Sequence, residues 1–208
     1  MGVHDLDTMK AVRKALDQVN PDIMVYGEGW TGGESALPAA QQATKNNIYR
    51  LDRVGAFSDD IRDGIKGSVF DFLDKGFVSG KDDMEENIKF SVVAATPHSQ
   101  VTLTKAGDKC TNWSGQPGQS INYISCHDNL TFWDKLAISN ADDSEADRVK
   151  MNKLGSVVLF YFAGCTIYAA GEEMLRSKPN EKSETGFDEN SYSSPDATNS
   201  IKWIIKVT

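Results

Sequence analysis

The sequence predicts an α/β fold with a parallel sheet, on three observations. Segments with apolar residues three or four apart alternate with short, almost wholly apolar runs, the order expected of helices crossing over between parallel strands. Ile23 to Gly27 is apolar throughout, so it reads as a parallel strand covered on both faces. Three of the four are followed by acids, Glu28, Asp128 and Glu172.

The elements follow in order. Leu6, Met9, Val12, Leu16 and Val19 form a helical stripe within 1–19, with Asp5 or Asp7 as its cap and Asn20-Pro21 as its stop. Ile23 to Gly27 is the first strand, followed by a Gly/Ala/Gln-rich loop from Thr31 to about Asn47. Val54 to Ser58 is the second strand, with the charged stretch Asp59 to Lys66 after it. Residues 82–95 suit a helix, and 96–118, rich in Gly, Pro, Thr and Gln, suit a loop. Ser120 to Cys126 is the third strand and runs into His127-Asp128-Asn129. Ser144 with Asp147 makes a capping box for a helix reaching about Ala163. Thr166 to Ala170 is the fourth strand, ending in Gly171-Glu172-Glu173, and 177–200 is a polar surface loop or end.

Composition narrows the class. The chain has 208 residues, is 39% hydrophobic, and carries 30 acidic against 22 basic side chains, for a net charge of -8. No basic stripe is present, which argues against a nucleic-acid partner. Leu154 to Gly171 is uncharged, but Gly155, Gly164 and Thr166 interrupt it, so a buried helix, turn and strand fit better than a membrane span. Residues 1–7 have neither a basic region nor an apolar core, so no signal peptide is read there, and the compartment stays unassigned. Cys110, Cys126 and Cys165 have neither metal-ligand nor disulfide-framework spacing. Cys126 precedes His127, but neighbours on a strand point to opposite faces, so they do not form a nucleophilic dyad.

Acids at the C-terminal ends of several parallel strands are the habit of a (β/α)8 barrel, which takes about 250 residues and eight strands. Four strands make half of one. The chemistry sits at those ends. In Val25-Tyr-Gly-Glu-Gly-Trp30, Glu28 suits a general acid whose protonated form is favoured by the apolar strand and Trp30. The flanking glycines would admit a substrate close to the backbone, and the tryptophan offers a face for a sugar ring. His127-Asp128-Asn129 adds hydrogen-bonding groups for hydroxyls and a second carboxylate for an oxocarbenium-like transition state. Alone, Glu28 reads equally well as a solvated or helix-capping loop acid, and His127-Asp128 reads more readily as a surface pair.

Together and in this order the segments resemble the α-amylase superfamily, glycoside hydrolase family 13, and within it the pullulanase-type debranching enzymes. VYGEGW is similar to the segment that carries the family's general acid. INYISCHDNLTFWDKL is similar to the one carrying a histidine and the transition-state-stabilising aspartate. FSDDIRDGIKG, AAGEEMLRSK and ENSYSSPDATNSIKW resemble stretches typical of the pullulanase branch, with HDNLTFWDKL and NSY the most specific. Thr166 departs from the proline that relatives often carry, and 204–208 match nothing in the family.

The resemblance implies one fragment, 1–208, of a single catalytic barrel domain, roughly strands five to eight with their helices. It implies Glu28 as acid, Asp128 as stabiliser and His127 on sugar hydroxyls, with Trp30, Asn129, Asn190 and Tyr192 binding substrate. It implies retaining hydrolysis of α-1,6 branch linkages in pullulan, starch or glycogen, with an α-glucan as partner and no nucleic acid or membrane. Met1-Gly2 matches the end of the RFDLMG-like segment that carries the nucleophile, so the nucleophile is expected just ahead of this chain. The chain alone is then expected to be inactive, and to self-associate through exposed sheet edges. No cofactor is implied. Some relatives bind calcium, but Asp59, Asp60 and Asp63 form no recognisable ligand loop. Two alternatives stay open: an α-1,4-acting member of the superfamily, and a non-catalytic glucan-binding fragment using Trp30 and Tyr192.

Overall fold

Asp5 starts the first helix as its sequence position suggests. Its carboxylate accepts from the Thr8 backbone N–H at 2.8 Å, satisfying a donor the helix cannot pair itself, and α1 runs over Leu6–Asp17. Leu6 and Met9 face the core, and buried Arg13 turns back to Asp17 at 2.7 Å. The computed structural model describes residues 1–107 and 110–202. Trp203 and the unmatched segment 204–208 lie outside the described residues.

Four strands follow: β1, Val25–Gly27; β2, Val54–Phe57; β3, Ser120–Asn122; and β4, Cys165–Thr166. They lie side by side in chain order, every neighbouring pair parallel, with Val25 opposite Val54, Ala56 opposite Ser120 and Ile121 opposite Cys165. The expected parallel α/β sheet is therefore present. Parallel neighbours need long connections, and the helices lie within them. After β2 come α2 (Asp59–Lys66), α3 (Glu85–Val92) and α4 (Leu103–Ala106). Between β3 and β4 lie α5 (Phe132–Ser139) and α6 (Glu145–Tyr161), and α7 (Asp196–Asn199) comes near the end.

The described residues cluster into two compact units. Met1–Ser58, Glu85–Asn122 and Phe162–Thr166 form one, which holds the whole sheet, and the remaining described residues form the other. In the first, β2 and β3 are the buried strands. Gly55 on β2 makes room for Ile121 on β3: a Cβ there would lie 2.9 Å from the Ile121 Cδ1. Two polar side chains on β3 are satisfied internally, Ser120 Oγ donating to Asn122 Oδ1 at 2.8 Å and Asn122 Nδ2 to the Ala163 carbonyl at 2.7 Å. The core beside them comprises Leu6, Ile48, Leu51, Val54, Phe90 and Trp113 among others.

Several boundaries differ from expectation. β1 begins at Val25, not Ile23, and Tyr26 is 46% exposed, so this strand is not covered on both faces as its all-apolar sequence suggested. It ends the sheet, with β2 its partner there. β3 stops at Asn122 instead of Cys126, because the Ser125 hydroxyl accepts from the Phe132 backbone N–H at 2.8 Å and the chain bends to reach it. β4 covers Cys165–Thr166 where 166–170 was expected. The segment 96–118 contains α4 and a short 3-10 turn, Pro117–Gln119.

In the second unit, the cap half of the expected capping box is formed: Ser144 Oγ accepts from the Asp147 N–H at 3.2 Å, while the Asp147 carboxylate takes the Ser144 hydroxyl, at 2.7 Å, in place of a backbone N–H. No helix among the described residues is long and apolar enough to cross a membrane. The helices α2 and α5 were not assigned from sequence. The signal for α5 was present in Thr131, whose hydroxyl accepts from the Asp134 N–H at 3.1 Å. Thr131→Ala should cost about 1 kcal/mol through loss of this cap, read as a lower urea midpoint at unchanged slope. An unchanged midpoint would remove the cap from this account. Helix α6 approaches α5 closely at Gly155, where an added Cβ would lie 2.5 Å from the Phe132 ring.

Candidate active site

The first piece of the site closes β1. Glu28 follows Gly27 directly, its side chain exposed and its carbonyl accepting from the Gly2 N–H at 3.2 Å. The Gly29 carbonyl accepts from Lys45 N–H at 2.6 Å. The glycines have a reason other than substrate approach. A Cβ at Gly29 would lie 2.8 Å from the Lys45 backbone nitrogen, and one at Gly2 would lie 2.5 Å from the Trp30 carbonyl oxygen. Gly29 and Gly2 thus allow three backbone segments to pack against each other, and Glu28 is held out from that junction. The apolar surroundings expected for Glu28 are not built around it here, since its side chain meets solvent. Trp30 is also part-exposed.

The second piece is the segment 125–131, which has no regular secondary structure. Its shape is therefore set by side chains beneath it. The Ser125 hydroxyl donates to Glu172 Oε1 at 3.1 Å while accepting from the start of α5. Lys66, 1% exposed, donates to the Leu130 carbonyl at 3.0 Å. Burial raises the pKa of Glu172 and, with the nearby Arg62 charge, lowers that of Lys66 to about 8. Glu172, noted in the sequence only as an acid after a strand, is buried in a 3-10 turn, Glu172–Met174, and supports the segment from within.

On this base His127, Asp128 and Asn129 face outward. The His127 side chain is 65% exposed and that of Asp128 39%, with His127 Nε2 lying 3.5 Å from Asp128 Oδ2. Asn129 adopts a left-handed backbone, φ 63°, which asparagine tolerates better than most residues. The tail returns here. Asp128 forms an antiparallel bridge with Asn190, and Asn129 N–H donates to Asn190 Oδ1 at 3.2 Å. Ser191 N–H donates to the His127 carbonyl at 3.0 Å, and Tyr192 meets the His127 ring edge-on with centroids 6.3 Å apart. The segment read from sequence as a polar loop or end is thus ordered against the His127 strip.

Of the seven expected site residues, five are brought together in one unit: His127, Asp128, Asn129, Asn190 and Tyr192. Glu28 and Trp30 belong to the other unit. Sequence reasoning missed Lys66, Ser125, Lys178 and Ser191, which act on this segment from below. No periodic signal marks them, because each is defined by a partner far along the chain. Cys126 is part of the same packing: its thiol donates to the Asp128 carbonyl at 3.3 Å, and burial pushes its pKa up, which suits a structural thiol. Among the described residues no group of three or more His, Cys, Asp or Glu side chains is placed to hold a metal ion.

No protein-family model matches the chain. A pullulanase of Bacillus subtilis (strain 168) is 27% identical over 203 residues, a match covering 98% of this chain and 26% of that protein. Among solved structures, a pullulanase from Paenibacillus barengoltzii, in complex with maltohexaose and alpha-cyclodextrin, superposes with a TM-score of 0.84 at 36% identity, covering 98% of this chain and 29% of that one. A pullulanase from Anoxybacillus sp. LM18-11 complexed with maltotetraose gives 0.82 at 34% identity, with coverages of 98% and 26%. The chain spans between a quarter and a third of the length of these three proteins. Over almost its whole length the chain follows part of each of these proteins in sequence and, for the two solved structures, in fold, and it is a relative of the pullulanases, a group of glycoside hydrolases.

Proposed function

We propose that the chain is part of a debranching glycosidase of the α-amylase superfamily, glycoside hydrolase family 13, that hydrolyses α-1,6 linkages in pullulan, starch or glycogen with retention. Its four parallel strands would be roughly strands five to eight of a (β/α)8 barrel. Glu28 protonates the departing glycosidic oxygen, and Asp128 stabilises the oxocarbenium-like transition state. His127, Asn129 and Asn190 hold sugar hydroxyls, and Trp30 and Tyr192 lie against sugar rings. The observation that carries the reading is the bridge between Asp128 and Asn190. It joins the two segments whose resemblance to the pullulanase branch is most specific, and it leaves their polar side chains facing solvent. The maltooligosaccharides in the solved pullulanases support an α-glucan as ligand.

A retaining mechanism also takes a nucleophilic carboxylate about 5 Å from the acid. None of the residues named above is assigned that role, so the reading concerns the acid, the stabiliser and the glucan-binding groups alone. β1 and β4 end the sheet, and their outer edges are where further strands, or a second copy of the chain, would pair.

Titration with maltotetraose, followed by tryptophan fluorescence, tests the reading. Saturable binding is expected, weakened about tenfold by Tyr192→Ala through loss of about 1.4 kcal/mol of ring contact. Equal response to a xylan oligosaccharide would overturn the glucan assignment.

A further inference from the structure

The tail that clasps His127-Asp128-Asn129 is itself organised around one buried cation. Lys178 is 4% exposed, and its backbone is fixed on both sides: its N–H donates to Asp134 Oδ2 at 2.9 Å, and its carbonyl accepts from Asp188 N–H at 2.8 Å. Asp134 is fully buried on α5, so the lysine is anchored to a helix. From that seat the ammonium group donates to the Cys126 carbonyl at 3.4 Å and to the Ser191 hydroxyl. Ser191 in turn donates to the His127 carbonyl from both its N–H, at 3.0 Å, and its hydroxyl, at 3.4 Å.

We infer that Lys178 is a positioning residue of this site, tying the peptide just ahead of His127 to the residue just ahead of Tyr192 so that the histidine and tyrosine rings are presented together. The inference rests on the glucan-binding reading for its purpose, but its geometry stands apart from it. Both ends of the tie are neutral oxygens, so a lysine is kept from water at a cost that hydrogen bonds to a carbonyl and a hydroxyl only partly offset. An apolar side chain would fill the space more cheaply. What it would lack is the ability to draw two backbone segments onto one point with three diverging donors. The side chains above the tie, His127 and Tyr192, are exposed and meet edge to face, and the tie works beside the Asp128–Asn190 bridge in holding the two segments that carry them.

The test reads the rings directly. The chain has three histidines, His4, His98 and His127, so the His127 imidazole signals can be assigned in NMR spectra by comparison with His127→Gln. Lys178→Met should move the His127 imidazole resonances toward those of a free histidine and weaken maltotetraose binding about tenfold, with His4 and His98 unmoved. Ser191→Ala, which removes one end of the tie and spares the lysine, should move His127 in the same direction if Lys178→Met does not fold. Lys178→Arg, which keeps the donors, should restore most of both signals. Lys135→Met is the control: this equally buried lysine ties the Ser68 and Asp71 carbonyls and should leave His127 in place. An unmoved His127 in Ser191→Ala and in any folded Lys178→Met would overturn the inference, as would an equal displacement in Lys135→Met. If His127 moves as expected while maltotetraose fails to bind the parent chain, the tie stands and the glucan reading falls.

Discussion

Glu28→Gln, in a pullulan-cleaving protein that contains this chain, is expected to lower pullulan turnover by about 10²–10⁴-fold. Glutamine keeps the shape of the side chain but has no acidic proton to give to the leaving oxygen. Binding should hardly change, since Glu28 takes part in the backbone junction with Gly2 only through its carbonyl, and its exposed side chain, the part the substitution alters, keeps its size. The loss should therefore fall on kcat with KM nearly constant. A second substrate separates proton donation from other roles. An α-maltosyl fluoride loses fluoride without needing a full proton transfer, so the variant should keep a rapid first release of fluoride, while its steady turnover slows because the same carboxylate is the base that activates water in the second step. Loss of that first release to the same extent as pullulan cleavage would mean that Glu28 is not the acid. A variant as active as the parent on pullulan would remove Glu28 from the mechanism altogether.

Phe132→Ala should be the most damaging of the core changes around the His127 segment. The ring is fully buried, and it fills the space that Gly155 leaves between α5 and α6. Its backbone N–H is the group that Ser125 captures to bend the chain after β3. Truncation leaves a cavity at a position where the helices cannot easily close on it, and large aromatic-to-alanine changes of this kind cost about 3–5 kcal/mol. Urea unfolding reads the loss as a drop in midpoint with the slope unchanged. Phe70→Ala provides the contrast, because that ring is 84% exposed and its removal should stay within about 0.5 kcal/mol. Similar losses at the two positions, or a loss at Phe132 no larger than that at Phe70, would show that the contact between α5 and α6 contributes little.

How legible this molecule was depended on the range of the forces involved. The caps at Asp5 and Ser144, the presence of α1 and the four strand segments are local and were legible in the sequence, although the α1 stripe was only partly so: Leu6 and Met9 are buried while Val12 and Val19 are exposed. A side chain three residues from a free N–H finds it wherever the helix goes. The placement of the His127-Asp128-Asn129 motif beyond a strand was legible too, as a motif whose chemistry needs those residue types.

The ends of the strands were decided only by the tertiary structure. A run such as Ser120 to Cys126 has the composition of a strand throughout, yet β3 stops at Asn122, where Ser125 is drawn toward Phe132 and Glu172. The same holds for the buried charges. Lys66, Glu172 and Lys178 look in sequence like solvated surface residues, since charged side chains are rarely buried without partners. Their partners, the carbonyls of Leu130 and Cys126 and the hydroxyls of Ser125 and Ser191, lie far along the chain. Local propensity cannot anticipate a hydrogen bond whose two ends meet only after the chain has folded, and it is those bonds that give the candidate site its shape.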